Sequence, residues 1–323
     1  MSATQDDKMT VPPRIARAKR DARAKSAKAF INKTLPSLLK SNARARRGVE
    51  AASLIIDPKP TPEQITSEQP NQKNAGPEVS PTVRITLRVS DTLEAASRLT
   101  GPSSRVAILN MASPLRPGGG VLTGATSQEE QLCARTTLYA SLREDFYRLP
   151  DVGGVYTPDV LVVRGWDGQM SELPVSKRFF VDVVTAAMLR MPDVEGGVYA
   201  EDKDREVVVR KMRAVMRMAR ERGVGGLVLG AWGCGAYGNP VGEIARSWRR
   251  VLLGRKGRDN GEGWDGLEIV FAVKDRRMAE VFADEFGDGL VVVEDGGDDG
   301  VGEDESGEDL DDISGVGSHK ESI

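Results

Sequence analysis

The chain has 323 residues, 39% of them hydrophobic, and a formal net charge of −3. That is enough for a core in one large domain or two small ones, with polar ends left over. No apolar run of about 18 residues offers a membrane span, and no apolar stretch near the N-terminus offers a secretory leader, so an intracellular protein, nuclear or cytoplasmic, is expected.

In chain order, the first 50 residues are basic, through "RIARAKRDARAKSAK" and "KSNARARRG". Residues 15–39 have helical character, with Ala27, Ile31, Leu35, Leu38 and Leu39 as an apolar stripe. Pro36 falls inside the stripe and predicts a kink or a break into two helices. Residues 1–56 therefore read as a basic, partly helical extension. Its charge suits a solvated helix face, a polyanion contact or an import patch, the first being the commonest. Residues 57–82, rich in Pro, Gln, Asn and Ser, read as a linker or long loop. Strands are then expected at 83–89, 106–109, 160–163, 179–184, 227–229 and 269–273. Helices are expected at 92–99, 129–146, 206–222, 241–253 and 276–286. This alternation over 83–290 predicts an α/β domain with a mostly parallel sheet covered on both faces. Residues 291–323 turn acidic and glycine-rich and read as a disordered tail. No internal repeat is present.

Histidine usage narrows the chemistry. The one histidine, His319, lies in the polar C-terminal tail. A Ser-His-Asp triad, a Cys-His pair and a histidine-ligated metal are disfavoured. Cys133 and Cys234 have no metal-ligand spacing and read as small packing residues, with no disulfide expected. Neither a metal nor a cofactor is expected, and proton chemistry falls to carboxylates, Lys or Tyr.

The segment from Val106 to Glu130 carries such carboxylates. An apolar strand runs into Gly118-Gly119-Gly120; a short linker then brings Glu129 and Glu130 to a helix start. Ser127 and Glu130 alone would fit a capping box, and acids at a helix N-terminus are favoured by its dipole. Beside a triple glycine, which admits close backbone approach to an anionic ligand, two adjacent carboxylates suggest acid and base work at a glycosidic centre. Gly118-Gly119-Gly120, seven residues, then Gln128-Glu129-Glu130 resembles the signature of the compact, microbial type of poly(ADP-ribose) glycohydrolases. The flanking "LNMASPLRPGGG" and "QEEQLCARTTLYASL" are similar too, and a weaker likeness runs over residues 29–286.

The resemblance implies a macrodomain-like three-layer α/β/α sandwich with a mixed, mostly parallel sheet and extra N-terminal helices. It implies an enzyme that hydrolyses ribose–ribose O-glycosidic bonds, with ADP-ribose as product and reversal of ADP-ribosylation, as in the DNA damage response, as its setting. Glu130 would be general acid and then base, Glu129 a ligand to a ribose hydroxyl, and Gln128 their buttress. Gly118, Gly119 and Gly120 would approach the distal ribose and pyrophosphate. The second glycine loop, Gly230 to Gly238, follows an apolar strand and precedes Asn239-Pro240, an N-cap and a first-turn proline. Strand, glycine loop and helix start make a phosphate-site geometry. The loop resembles the diphosphate loop of macrodomains, with Gly233, Cys234, Gly235, Ala236 and Tyr237 at the ligand; a sharp structural turn is the plain alternative. Asp91 resembles an adenine-binding acid, or is a helix N-cap. Asn110 resembles a ribose-contacting asparagine, or satisfies a turn. Phe271 stands where the family stacks adenine, although an aromatic in an apolar strand is more often core. A tyrosine clasp found in larger relatives has no clear counterpart, although Tyr156 lies downstream of the helix. The expected partners are poly(ADP-ribose) or ADP-ribosylated proteins, with neither a membrane nor sequence-specific nucleic-acid binding. The alternatives are a macrodomain that binds ADP-ribose without cleaving it, and a hydrolase of single ADP-ribose marks on proteins.

Overall fold

The computed structural model describes residues 13–60, 83–101, 104–254 and 262–293. Most of the linker expected at 57–82, the acidic tail from 294 and His319 lie outside them.

Helix α1 (Pro13–Ala29) widens into a π turn at Phe30–Thr34 and continues as α2 (Leu35–Ser41). The π turn lies just before Pro36, where a kink or break is expected: proline has no N–H for the carbonyl four residues back, and its ring needs room there. Ala27, Ile31 and Leu35 are buried, with Leu38 and Leu39 packed beside them, so the apolar stripe is real. α3 (Ala43–Glu50) starts where the Asn42 side chain accepts from Ala45 N–H at 3.0 Å. Strand β1 (Ser53–Ile56) follows, inside the region read as an extension. The domain is β2 (Arg84–Arg88), α4 (Thr92–Leu99), β3 (Val106–Met111), α5 (Gln128–Arg135), β4 (Gly153–Val162) and β5 (Phe179–Ala186). The hairpin β6 (Val194–Glu195) and β7 (Val198–Tyr199) leads to α6 (Asp202–Glu221), β8 (Gly226–Leu229), α7 (Val241–Leu253), β9 (Glu268–Ala272), α8 (Arg276–Phe286) and β10 (Val291–Val293).

Eight strands form one sheet in the order β1-β4-β5-β3-β8-β9-β2-β10. β5, β3, β8, β9, β2 and β10 run parallel, while β4 is antiparallel to β5 and β1 to β4. Side chains alternate across the pleat. Ala107, Leu109, Leu227, Leu229, Ile269 and Phe271 face one helical layer with Met212, Trp248 and Phe282. Ile108, Val228 and Val270 face the other, with Phe30, Leu93 and Leu132. The result is a three-layer α/β/α sandwich with a mixed, mostly parallel sheet.

Three expectations need correcting. The helix read over 129–146 stops at Arg135. Thr137 N–H donates to Leu161 O at 3.0 Å and its hydroxyl accepts from Leu161 N–H at 2.9 Å, so the end of β4 captures the backbone there. Short 3-10 turns at Leu138–Ser141 and Glu144–Phe146 carry the chain on. The strand read at 160–163 begins at Gly153. Gly153 and Gly154 look like turn residues, but a Cβ on Gly154 would lie 2.1 Å from Thr185 O, so glycine lets β4 close on β5. Finally, Val291–Val293 pairs with β2 as an edge strand, which moves the start of the tail beyond 293.

Candidate active site

The parallel strands end together, and the chain leaving β3, β5 and β8 there lines a cleft of about 680 Å³. Glu129 and Glu130 enter it from the first turn of α5. Gln128 fixes that turn: its Oε1 accepts from Met111 N–H at 2.9 Å, and its Nε2 donates to Leu109 O at 2.7 Å. A third bond, to Thr92 Oγ1 at 3.3 Å, ties in the start of α4. Ser127 sits at the N-cap without a side-chain cap bond, so no capping box forms.

Each glutamate has one oxygen held by backbone and one left over. Glu129 Oε2 accepts from Ser113 N–H, and Glu130 Oε1 from Gly120 N–H, both at 2.8 Å. Glu129 Oε1 and Glu130 Oε2 are buried and make no hydrogen bond of good geometry, although Gly118 N–H and the Asn110 amide face Glu129. Buried carboxylate oxygens are rarely left unpaired, so these two mark where a ligand hydroxyl or water belongs. The triple glycine is shaped around the carboxylates. Gly118 and Gly119 have φ of +66° and +57°. A Cβ on Gly119 would lie 2.6 Å from Glu130 Oε1 and 2.8 Å from Glu129 Oε2; one on Gly118 would strike the Tyr139 ring. Only glycine allows both the left-handed backbone and this approach.

Burial pushes the Glu129 carboxyl up to about 8, with the neighbouring Glu130 charge adding to the rise. The N–H groups of Ser113 and Gly118 and the Asn110 amide pull the other way. Burial thus favours the protonated form of Glu129. Behind the pair, burial and both carboxylates raise the Cys133 thiol well above its usual range.

Across the cleft lies the loop after β8, through Ala231, Trp232, Gly233, Gly235, Ala236 and Tyr237. Asn239 braces it, donating to Leu189 O and Gly233 O and accepting from Tyr199 O–H at 2.8 Å. Asn239 is therefore a loop brace and not the cap of α7, whose N-cap is Pro240. Burial raises the Tyr237 hydroxyl, and a hydrogen bond with Ser113 opposes this. Arg20, Arg116 and Arg190 also line the cleft and have no acidic partner among the described residues.

A family model for the microbial-type PARG catalytic domain matches residues 37–165. Among solved structures, the chain resembles the poly(ADP-ribose) glycohydrolase of Thermomonospora curvata at 28% identity, over 83% of this chain and 100% of that one, with a TM-score of 0.65. The same enzyme bound to the inhibitor ADP-HPD matches at 27% identity over the same shares, with the same TM-score. A structure of the Deinococcus radiodurans poly(ADP-ribose) glycohydrolase in complex with ADP-ribose is 30% identical, covering 62% of this chain and 84% of that one, at a TM-score of 0.51. The chain belongs to the microbial-type PARG family. No curated protein sequence matches it.

Within this family frame, the structure gathers some of the expected residues and separates others. Glu129, Glu130, Gln128, Gly119, Gly120, Gly233, Gly235, Ala236 and Tyr237 line one cleft. Gly118 lies just behind it, turned towards Tyr139. Asn110 is buried at the end of β3; its Nδ2 donates to Thr185 Oγ1 at 3.2 Å and its amide faces Glu129, so it supports a carboxylate. Cys234 packs on the core, and burial pushes its thiol up to about 12. Asp91 does not reach the cleft. One of its oxygens caps α4 through Leu93 N–H at 2.9 Å, and the other pairs with the buried Arg135 at 3.0 Å. Phe271 is fully buried among Trp248, Phe282 and Phe286 and does not line the cleft. Tyr156 is buried too, its hydroxyl bonded to Asp182.

Sequence reading missed Ser113, Met188, Arg190, Trp232 and Arg20. Ser113 follows the strand of the motif and Trp232 lies in the second glycine loop, so their placement was within reach. Met188 and Arg190 sit on the β5–β6 connection and Arg20 on a basic helix, where nothing local marks them. Among the described residues no group of three or more His, Cys, Asp or Glu side chains is arranged to hold a metal ion, and no helix is long and apolar enough to cross a membrane.

Proposed function

We propose that the chain hydrolyses the ribose–ribose O-glycosidic bonds of poly(ADP-ribose), releasing ADP-ribose. The observation that carries this is the pair of buried, unpartnered oxygens on Glu129 and Glu130, held by backbone N–H groups in one cleft. A glycosidic centre supplies what they lack: a ribose hydroxyl for one, and the leaving oxygen and then a water for the other. Glu130 protonates the leaving ribose 2′-oxygen as the anomeric C–O bond breaks. It then takes a proton from the water that attacks the oxocarbenium-like centre. Glu129 holds a ribose hydroxyl and aligns the sugar. Gln128 keeps both on a rigid helix start. The pyrophosphate lies along the 233–237 loop, where open space faces Gly235 and Arg116 and Arg190 supply positive charge. The site residues and these roles rest on geometry and resemblance together.

The deciding experiment incubates the protein separately with poly(ADP-ribose) and with a mono-ADP-ribosylated protein, and follows free ADP-ribose. Release from the polymer is expected. Tight binding of ADP-ribose with no release from either substrate would make the chain a reader; release only from the modified protein would make it a hydrolase of single marks.

A further inference from the structure

Helix α1 carries seven basic residues, Arg14, Arg17, Lys19, Arg20, Arg23, Lys25 and Lys28, against the single acid Asp21. None of the seven has an acidic partner among the described residues, although many arginines elsewhere in the molecule are paired. Arg14, Arg17, Arg20 and Arg23 stand three apart, so each is a surface neighbour of the next. Like charges at that spacing destabilise a helix. Residues 14–22 are exposed along their length. A solvated helix would need no fixed place, yet this one is fixed to the active-site loop. Arg20 Nε donates to Thr123 O at 2.9 Å and Arg23 Nε to Gly124 O at 3.0 Å. Gly124 has φ +78°, and a Cβ there would lie 2.1 Å from Arg20 O, so the two backbones touch. Thr123 Oγ1 in turn donates to Gly120 O at 3.0 Å, and Gly120 N–H holds Glu130. Main chain thus connects the basic helix to the reacting carboxylate, and Arg20 itself lines the cleft. Arg17, Arg20, Asp21 and Ala16 line a further open groove on α1.

We propose that α1 is a polyanion rail, on which Arg14, Arg17 and Lys19 hold pyrophosphates of the polymer segment lying outside the cleft. This rests on the poly(ADP-ribose) reading above and adds a second contact area to it. A helix of 17 residues is about 25 Å long, so it reaches well past the bound unit. A polymer then binds more tightly than one ADP-ribose, and the excess depends on salt.

The test is the full chain carrying R14Q, R17Q and K19Q together, with Arg20 and Arg23 left to hold the helix. Labelled long-chain poly(ADP-ribose) is bound to the chain by fluorescence polarisation in the Glu130→Gln background, where turnover does not interfere. The triple substitution should weaken polymer binding by at least about tenfold and lower the slope of log affinity against log salt by about 2. Calorimetric affinity for ADP-ribose, and hydrolysis of the two-unit oligomer in the Glu130 background, should not change. Equal losses on ADP-ribose and polymer, or no loss on polymer, would overturn the rail. So would a loss that vanishes when residues 294–323 are deleted, which would assign the cations to the chain's own acidic tail. If the unsubstituted chain binds polymer through α1 but never releases ADP-ribose, the rail stands and the hydrolytic reading fails.

Discussion

Replacing Glu129 by glutamine should make the protein more stable near and above neutral pH, at the cost of activity. Burial raises this carboxyl from about 4.5 to about 8 in the folded chain. A group whose folded value is raised gives stability that is fully present below its unfolded value and is lost as pH rises through its folded value. Between pH 5.5 and 7.5 the natural chain therefore loses about 1.4 kcal/mol per pH unit through this group, on the order of 3 kcal/mol in all. Glutamine has the shape of the protonated acid and no such slope; its Oε takes over the Ser113 N–H. For a domain of this size about 1 kcal/mol moves the melting temperature by about 2–4 °C. The two proteins should melt within a degree or two of each other at pH 5.5, and the variant about 5–10 °C higher at pH 7.5. Parallel melts by circular dichroism at several pH values measure the difference, in which groups not coupled to Glu129 cancel. A pH-independent difference, or a variant that falls behind as pH rises, would refute the placement of the proton on Glu129.

Gly119→Ala should lower turnover by about a hundredfold, the scale of an ångström-level misplacement, because its Cβ would press on both carboxylates; steady-state turnover near that of the natural chain would mean the loop gives way freely. Gly235→Glu should leave the melt almost unchanged, since nothing lies within 4 Å of its Cβ position, while abolishing ADP-ribose binding in calorimetry; undiminished binding would remove this loop from the site. Asp91→Asn should lower stability by about 3–5 kcal/mol, the usual effect of leaving a buried charge unpaired, here Arg135. A normal melt with lost ADP-ribose affinity would instead return Asp91 to the adenine.

What was legible in the sequence was local. The run from Val106 to Glu130 is a strand, a glycine turn and a helix start in order, and each part is set by neighbours along the chain. The Pro36 break is equally local. Phe271 was not legible, because whether a strand aromatic faces a ligand or a core depends on Trp248, Phe282 and Phe286, which arrive from other elements. Asp91 has two sound readings, and its pairing with a buried arginine 44 residues away is invisible to the local sequence. The end of α5 at Thr136 and Thr137 is set by β4, against a helical pattern that continued to Phe146. Edge strands β1 and β10 are short and take their conformation from the strands they join. From the sequence, the glycines at 118–120 read as room for a ligand. They are first of all room for the two glutamates, which sequence spacing alone could not distinguish.

The central claim is that Glu130 moves the proton in glycosidic cleavage. Glu130→Gln keeps the side chain's shape and its bond from Gly120 N–H but can neither deliver nor accept that proton. Single-turnover release of ADP-ribose from poly(ADP-ribose) by this variant, beside its calorimetric affinity for ADP-ribose, tests the claim most directly. Turnover should fall by at least about a hundredfold, the scale of a lost general acid, while affinity stays within a few-fold of the natural chain. Turnover close to that of the natural chain, with ADP-ribose still bound, would contradict it.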